Sequence, residues 1–433
     1  MTSQELDQYG GWKKVKHQGT GFFRLEKIDD RWWFIDPEGH PFLSLGINHI
    51  KVSVLQEDYN RNVFTEKYGN AAEFYKHVFH DLKDWGFNTL GNYNDEEIPP
   101  KIPFVHLFRF LNISGYLASW KFREEFSALP YEYFPDIFSE SWREECEKKV
   151  AAVYLEFRDN PFLIGYFFSD VPVWTQGDRW IDAILRMDPA TPGQKVYSEL
   201  MERRYAGNIS SWNAAYGTAY SGFEEILSRP FDRLPIRDEK RVREDDETFM
   251  RVLAREYYRY IAHLIRRYDS YHLLLGDCYD GNPGIPDFVL QEARPYVDAL
   301  SLQYYQFDPF EEHFKRIDYW YRIIEKPVIA TDSCYAVPKP KMPDPYGPHV
   351  SGHRERGLSY RRYVEALFGR PYGIGWLWCG YIDWLQGSGP PGKQVVHQHS
   401  GLKDEYDEPY TEVTDIITET NRQVYQIAAG ATY

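Results

Sequence analysis

Asp170 and Asp332 stand where apolar runs end: PFLIGYFF at 161–168, then Ser169, leads to Asp170, and KPVIAT at 326–331 leads to Asp332. A carboxyl group leaving a buried strand can take or give a proton, and its pKa is open to tuning by burial and by neighbours. Two of them placed across one bond are nearly all that glycoside hydrolysis requires. The bland alternative is that each Asp caps a loop or a helix start. Other polar residues follow apolar runs in the same way: Asn48 and His49, Asn92, Asp277 and Asp280, Gln303 with Tyr304 and Tyr305, and Tyr381 and Asp383 after Trp378. Carboxylates, amides and aromatics are the side chains that bind a polyhydroxylated substrate. Asn48, His49, Asn92, Gln303 and Asp383 are candidates to hydrogen-bond hydroxyls, though any one could instead fix a loop. Trp174, Trp376, Trp378 and Trp384 are candidate stacking platforms, although a Trp near a strand end is also a common core residue. Cys146, Cys278, Cys334 and Cys379 lie far apart, and Cys278 and Cys334 read as small buried residues. His397 and His399 form an i, i+2 pair, a weak metal signal on its own. No metal or cofactor is expected from this pattern.

These positions need a scaffold that gathers strand ends. Eight apolar runs read as strands, at 42–47, 87–90, 103–110, 162–168, 272–276, 299–304, 328–330 and 373–378. Amphipathic stretches at 71–85, 139–157, 249–267, 287–295, 310–323 and 354–368 alternate with them as helices. Eight such units predict a (β/α)₈ barrel, with chemistry at the C-terminal ends of its strands. A doubly wound sheet is the rival fold, but no GxGxxG or P-loop follows any strand. Residues 1–20 read as a polar arm and 21–433 as a single catalytic domain. The polar stretch 175–245, with WNAAYGTAYSGFEEIL at 212–227, reads as an insertion after the fourth strand, a lid or wall over the mouth.

Composition narrows the classes. The chain has 433 residues, with 50 Lys+Arg against 65 Asp+Glu for a net charge of −15. Such a charge repels phosphate, so no nucleic-acid partner is expected. No apolar run approaches the ~20 residues that span a bilayer, so no membrane partner is expected either. Aromatics make up 17% of the chain, which suits either sugar faces or a well-filled core. The opening MTSQELDQYGGWKK has no apolar segment. A cytoplasmic location is expected on that ground, with a secreted or periplasmic one the alternative if a leader was trimmed.

RWWFIDPEGHPFLSLGIN (31–48), FPDIFSESW (134–142), RDNPFLIGYFFSDVPVW (158–174), YVDALSLQYY (296–305), EKPVIATDS (325–333), YGIGWLWCGYIDW (372–384) and GLKDEYDEPY (401–410) fall in an order and spacing that resembles the beta-agarases of glycoside hydrolase family 50. That family lies within a large clan of (β/α)₈ retaining glycosidases. WNAAYGT also resembles an insertion in beta-galactosidases of the clan. The resemblance implies an oligosaccharide or polysaccharide substrate containing galactose, of the agarose, porphyran or carrageenan kind. It also implies that Asp332 takes the place of the family's nucleophilic Glu and that Tyr305 could orient it. The departures are specific. Where the family's fourth strand ends in Asp-Asn-Glu, this chain has Ser169-Asp170-Val171. Val171 therefore replaces the acid/base Glu, and Asp170 replaces the Asn that binds the sugar. Three readings follow. Asp170 acts as acid/base from one position earlier, or the shorter carboxylates make the reaction inverting, or the barrel binds sugar without cleaving it.

Overall fold

The computed structural model describes residues 5–111, 135–172, 174, 191–227, 236–385, 387–388, 395–396 and 399–430. A three-stranded antiparallel sheet comes first: β1 (Arg24–Ile28), β2 (Arg31–Ile35) and β3 (Pro41–Phe42). Eight parallel strands then close a barrel. They are β4 (Ser44–Ile47), β5 (Thr89–Leu90), β6 (Phe104–Leu107), β7 (Leu163–Asp170), β8 (Leu273–Asp280), β9 (Leu300–Gln303), β10 (Val328–Ser333) and β11 (Gly373–Trp378). They pair in chain order, and β11 returns to β4 through Gly375–Ser44 and Trp378–Ile47. This is the predicted (β/α)₈ barrel.

The strands fit the apolar runs because both of their faces are buried. One face fills the barrel and the other meets the surrounding helices, so no polar alternation survives. The helix Ala71–Trp85 starts at Asn70, whose side chain accepts from Glu73 N, and stops at Gly86 in the left-handed region (φ 75°). The helix Glu140–Phe157 is capped in the same way by Ser139 on Trp142 N. The helix Glu239–Tyr268 begins ten residues earlier than periodicity suggests. Asp238 caps it by accepting from Arg241 N, and its first turns are so rich in charge that the apolar stripe only becomes regular later.

Three strands reach further than expected, and in each the extension carries carboxylates. β7 continues through Ser169 to Asp170, β8 through Asp277 to Asp280, and β10 through Asp332 to Ser333. Polar residues end an apolar run without ending the strand.

The described part of the inserted stretch holds the helices Pro192–Arg204 and Ile209–Tyr216 and a 3₁₀ turn at Phe223–Leu227. They centre on Asp245 of the long helix, whose carboxylate accepts from Tyr205 Oη at 2.6 Å and Tyr216 Oη at 3.1 Å. Residues 5–20 lie along the barrel. Tyr9 packs on Phe162 with ring centroids 4.9 Å apart, and Trp12 stacks on Tyr425 at 5.7 Å. Among the described residues, no helix is long and apolar enough to cross a membrane.

Candidate active site

Asp332 lies near the C-terminal end of β10 and is 4% exposed. Neutral donors surround its carboxylate. Asn48 Nδ2 donates to Oδ1 at 2.7 Å, while Tyr305 Oη and Gln303 Nε2 donate to Oδ2 at 2.9 and 3.1 Å. Burial raises its pKa from 3.8 to about 6, and the hydrogen bonds from Asn48, Tyr305 and Cys379 pull the other way. The group is thus poised just below neutrality and ionised above it.

Asn48 is held in turn. It is fully buried, its Nδ2 also donates to Thr331 O at 2.9 Å, and its Oδ1 accepts from Asn92 N at 2.7 Å. Gly91 leaves the space this needs, since a Cβ there would sit 1.9 Å from Asn48 Oδ1. The next turn brings Asn92 Nδ2 to Cys278 Sγ at 3.8 Å. Asn92 Oδ1 and Gln303 Oε1 are buried and have no hydrogen-bond partner among the described residues. A substrate hydroxyl is the kind of donor that satisfies such acceptors.

Asp170 is half-buried at the end of β7, paired in register with Cys278 on β8. Tyr93 is its neighbour, and the phenol is pushed well up by burial and by the Asp170 charge. The Cys278 thiol is pushed well up by burial, then by Asp170, with smaller contributions from Asp277 and Asp332. Both candidate carboxylates therefore lie within electrostatic reach of one thiol on β8. The residue after Asp170 is strained: Val171 has φ 37°, which a β-branched side chain rarely adopts. Ser169 is buried against the encircling helix Glu239–Tyr268 and serves the scaffold, accepting from Leu111 N at 3.1 Å and bonding Tyr257 Oη at 3.0 Å.

The rim carries an aromatic stack. Tyr93 lies on His49 with centroids 4.8 Å apart, His49 on His399 at 4.7 Å, and His399 on Trp384 at 5.8 Å. Asp280 is half-buried and accepts from Asn282 N at 3.0 Å; burial first, and then the charges of Asp280 and Asp332, raise the pKa of Tyr346.

Several residues proposed as sugar contacts sit elsewhere. Trp174, Trp376 and Trp378 are buried to 2%, 0% and 0% exposure and present no free face. Trp174 stacks on Tyr258, Trp376 on Tyr363, and Trp378 under the Arg356 guanidinium. Only Trp384 of the four is half-buried. Asp383 is fully buried and bound to the loops beyond the barrel: it accepts from Gly401 N at 2.6 Å, Tyr410 Oη at 2.6 Å and Lys339 Nζ at 2.7 Å. These are core positions that lie close to the mouth in sequence. Asp277 is likewise internal, held by Tyr257 and Tyr258 and raised by burial to about 7. His397 lies outside the described residues. Sequence reasoning overlooked Tyr93 and Cys379. Each directly follows a strand-end motif, Gly91-Asn92 and Trp376-Leu377-Trp378, and that adjacency was the available signal.

No family profile matches the chain. Similarity to individual proteins is extensive. Beta-agarase B of Vibrio sp. (strain JT0107) is 22% identical over 97% of this chain and 50% of its own length. This chain thus spans about half the length of that curated relative. A solved exo-beta-agarase superposes with a TM-score of 0.77 at 19% identity, over 99% of this chain and 68% of that one. A beta-galactosidase from the Antarctic haloarchaeon Halorubrum lacusprofundi shares the fold more distantly, with a TM-score of 0.60 at 14% identity over 88% and 58%. The chain is thus similar in sequence to beta-agarases along nearly its whole length, and similar to a solved exo-beta-agarase in fold.

Proposed function

We propose that the chain hydrolyses glycosidic bonds in galactose-containing oligosaccharides or polysaccharides of the agarose type, with Asp332 and Asp170 as its working carboxylates. The observation that carries this reading is the constellation around Asp332. A buried carboxylate at the C-terminal end of a barrel strand is held by the neutral donors Asn48, Gln303, Tyr305 and Cys379, with no cation bonded to it among the described residues. An ion pair would silence such a group, whereas neutral donors orient it and leave it reactive. Asp332 attacks the anomeric carbon if the reaction is retaining, or activates water if it is inverting. Asp170, on the fourth strand, protonates the leaving oxygen. Asn92 and Gln303 hold sugar hydroxyls, and Trp384 offers the apolar face. The similarity to beta-agarases motivates the substrate class.

The second reading is a barrel that binds sugar without cleaving it. Val171, at the family's acid/base position, favours it. Leaving-group dependence separates the two. Asp170→Asn should lose far more activity on an unactivated galactoside than on an activated aryl galactoside, because only the first needs a proton. Equal loss on both substrates would make Asp170 a positioning residue. Absence of any turnover by the unmodified protein across agarose, porphyran and carrageenan oligosaccharides, with binding retained, would leave the binding reading.

A further inference from the structure

Four residues that lie far apart in the chain meet beside Asp332. His49 follows β4, Cys334 follows β10, Cys379 follows β11, and His399 returns from the loop beyond. One ligand atom each from His49, Cys379 and His399 falls within 4.8 Å of the other two. Cys379 Sγ is 3.2 Å from His399 Nδ1. Ligands around a single tetrahedral zinc, with bonds of about 2.0–2.3 Å, lie roughly 3.3–3.6 Å apart. Small side-chain movements would bring these three into that range.

The sulfur is also crowded. A thiol has one proton, yet Cys379 is in hydrogen-bonding contact with His399, Cys334, Asp332 and Tyr305. Cys379 and Cys334 are buried, whereas His49 and His399 are half-buried at the mouth, which gives a cation a way in. Stacking holds the two imidazoles in place: the Tyr93 ring lies on His49 and the Trp384 ring on His399.

We propose that His49, Cys379 and His399 form a binding site for a soft divalent cation of the zinc class, with water in the fourth position. Two imidazoles and a thiolate select zinc or its analogues over magnesium or calcium. Binding replaces the Cys379 S–H bond with a metal–sulfur bond and releases that proton to solvent. It also ties the segment carrying His399 to the end of β4. The site adjoins Asp332 through Cys379, but its test uses no substrate and so does not depend on the carbohydrate chemistry proposed above.

The test is titration of the full chain with Co²⁺, after chelator treatment and in a reductant that does not bind metal. A single equivalent should produce a thiolate-to-cobalt charge-transfer band with tetrahedral d–d absorption, and Zn²⁺ should displace it. Cys379→Ser should abolish the charge-transfer band, and His399→Ala should weaken Co²⁺ binding roughly tenfold or more. Circular dichroism checks that the variants fold. The unmodified protein decides the matter if they do not: no thiolate band on adding Co²⁺ would overturn the proposal. A band that persists in folded Cys379→Ser would overturn it as well.

Discussion

Asn48 Nδ2 donates to Asp332 Oδ1 at 2.7 Å, reaching past β11 from β4 to β10. The carboxylate is therefore aimed by a side chain whose own orientation is fixed from just past the neighbouring strand β5, through Asn92 N. The backbone that follows β5 is thereby linked to the geometry of Asp332.

Gly91→Ala tests that linkage. The new Cβ would lie 1.9 Å from Asn48 Oδ1 and 3.1 Å from Ile47 O, so Asn48 must turn away from Asp332. Overpacking of this kind costs about 1–3 kcal/mol. The expected result is a lower Tm together with a fall in kcat larger than that in Asn92→Ala. Unchanged kcat in a folded Gly91→Ala protein would show that Asn48 does not aim the carboxylate.

Asp332 must be ionised to act, so the acid limb of kcat/KM in chelator-treated protein should have its midpoint near pH 6. Tyr305→Phe removes one donor to the ionised form. A hydrogen bond to a charged group contributes roughly 1.5–3 kcal/mol, or about one to two pH units on that limb. The limb should move to higher pH. A limb that stays in place would remove Tyr305 from the control of Asp332.

Asp277 bears on stability and not on turnover. Its folded pKa, about 7, is raised above the ordinary 3.8 by complete burial. The folded state therefore binds more protons than the unfolded chain between these values. Its contribution is fully present below pH 3.8 and is lost as pH rises through about 7. Denaturant midpoints should show the unmodified protein losing stability relative to Asp277→Asn over that window. A constant difference would mean the group keeps its charge in the fold.

The tryptophans divide by burial. Trp376→Ala should cost about 3–5 kcal/mol by cavity formation and lower Tm sharply. Trp384→Ala should leave Tm nearly unchanged and raise KM for oligosaccharide. The opposite assignment of effects would restore Trp376 as a sugar contact.

The barrel was legible because each strand is apolar on both faces and each helix is amphipathic, so Ile47, Phe168, Ala330 and Trp378 all fall in runs that stand out. Strand ends were less legible. Asp170, Asp280 and Asp332 are polar yet still hydrogen-bonded within strands, and polarity alone cannot distinguish a strand's last turn from a loop. The tryptophans misled because a Trp at a barrel end can face the mouth or the encircling helices, and that choice depends on partners such as Tyr258, Tyr363 and Arg356. The Cys379–His399 contact was hidden for a simpler reason. It joins a strand end to a returning loop, and no local pattern encodes that pairing.

The most direct test of the proposed chemistry is the rate of reducing-end release from an agarose oligosaccharide by Asp332→Asn, with the affinity of the same variant measured by calorimetry. The amide keeps the size and much of the hydrogen bonding of the carboxylate but cannot attack carbon or activate water. The prediction is a loss of roughly three orders of magnitude or more in kcat, with Kd within about fivefold of the unmodified protein, or less than about 1 kcal/mol. Undiminished release of reducing ends by folded Asp332→Asn would contradict the account at its centre.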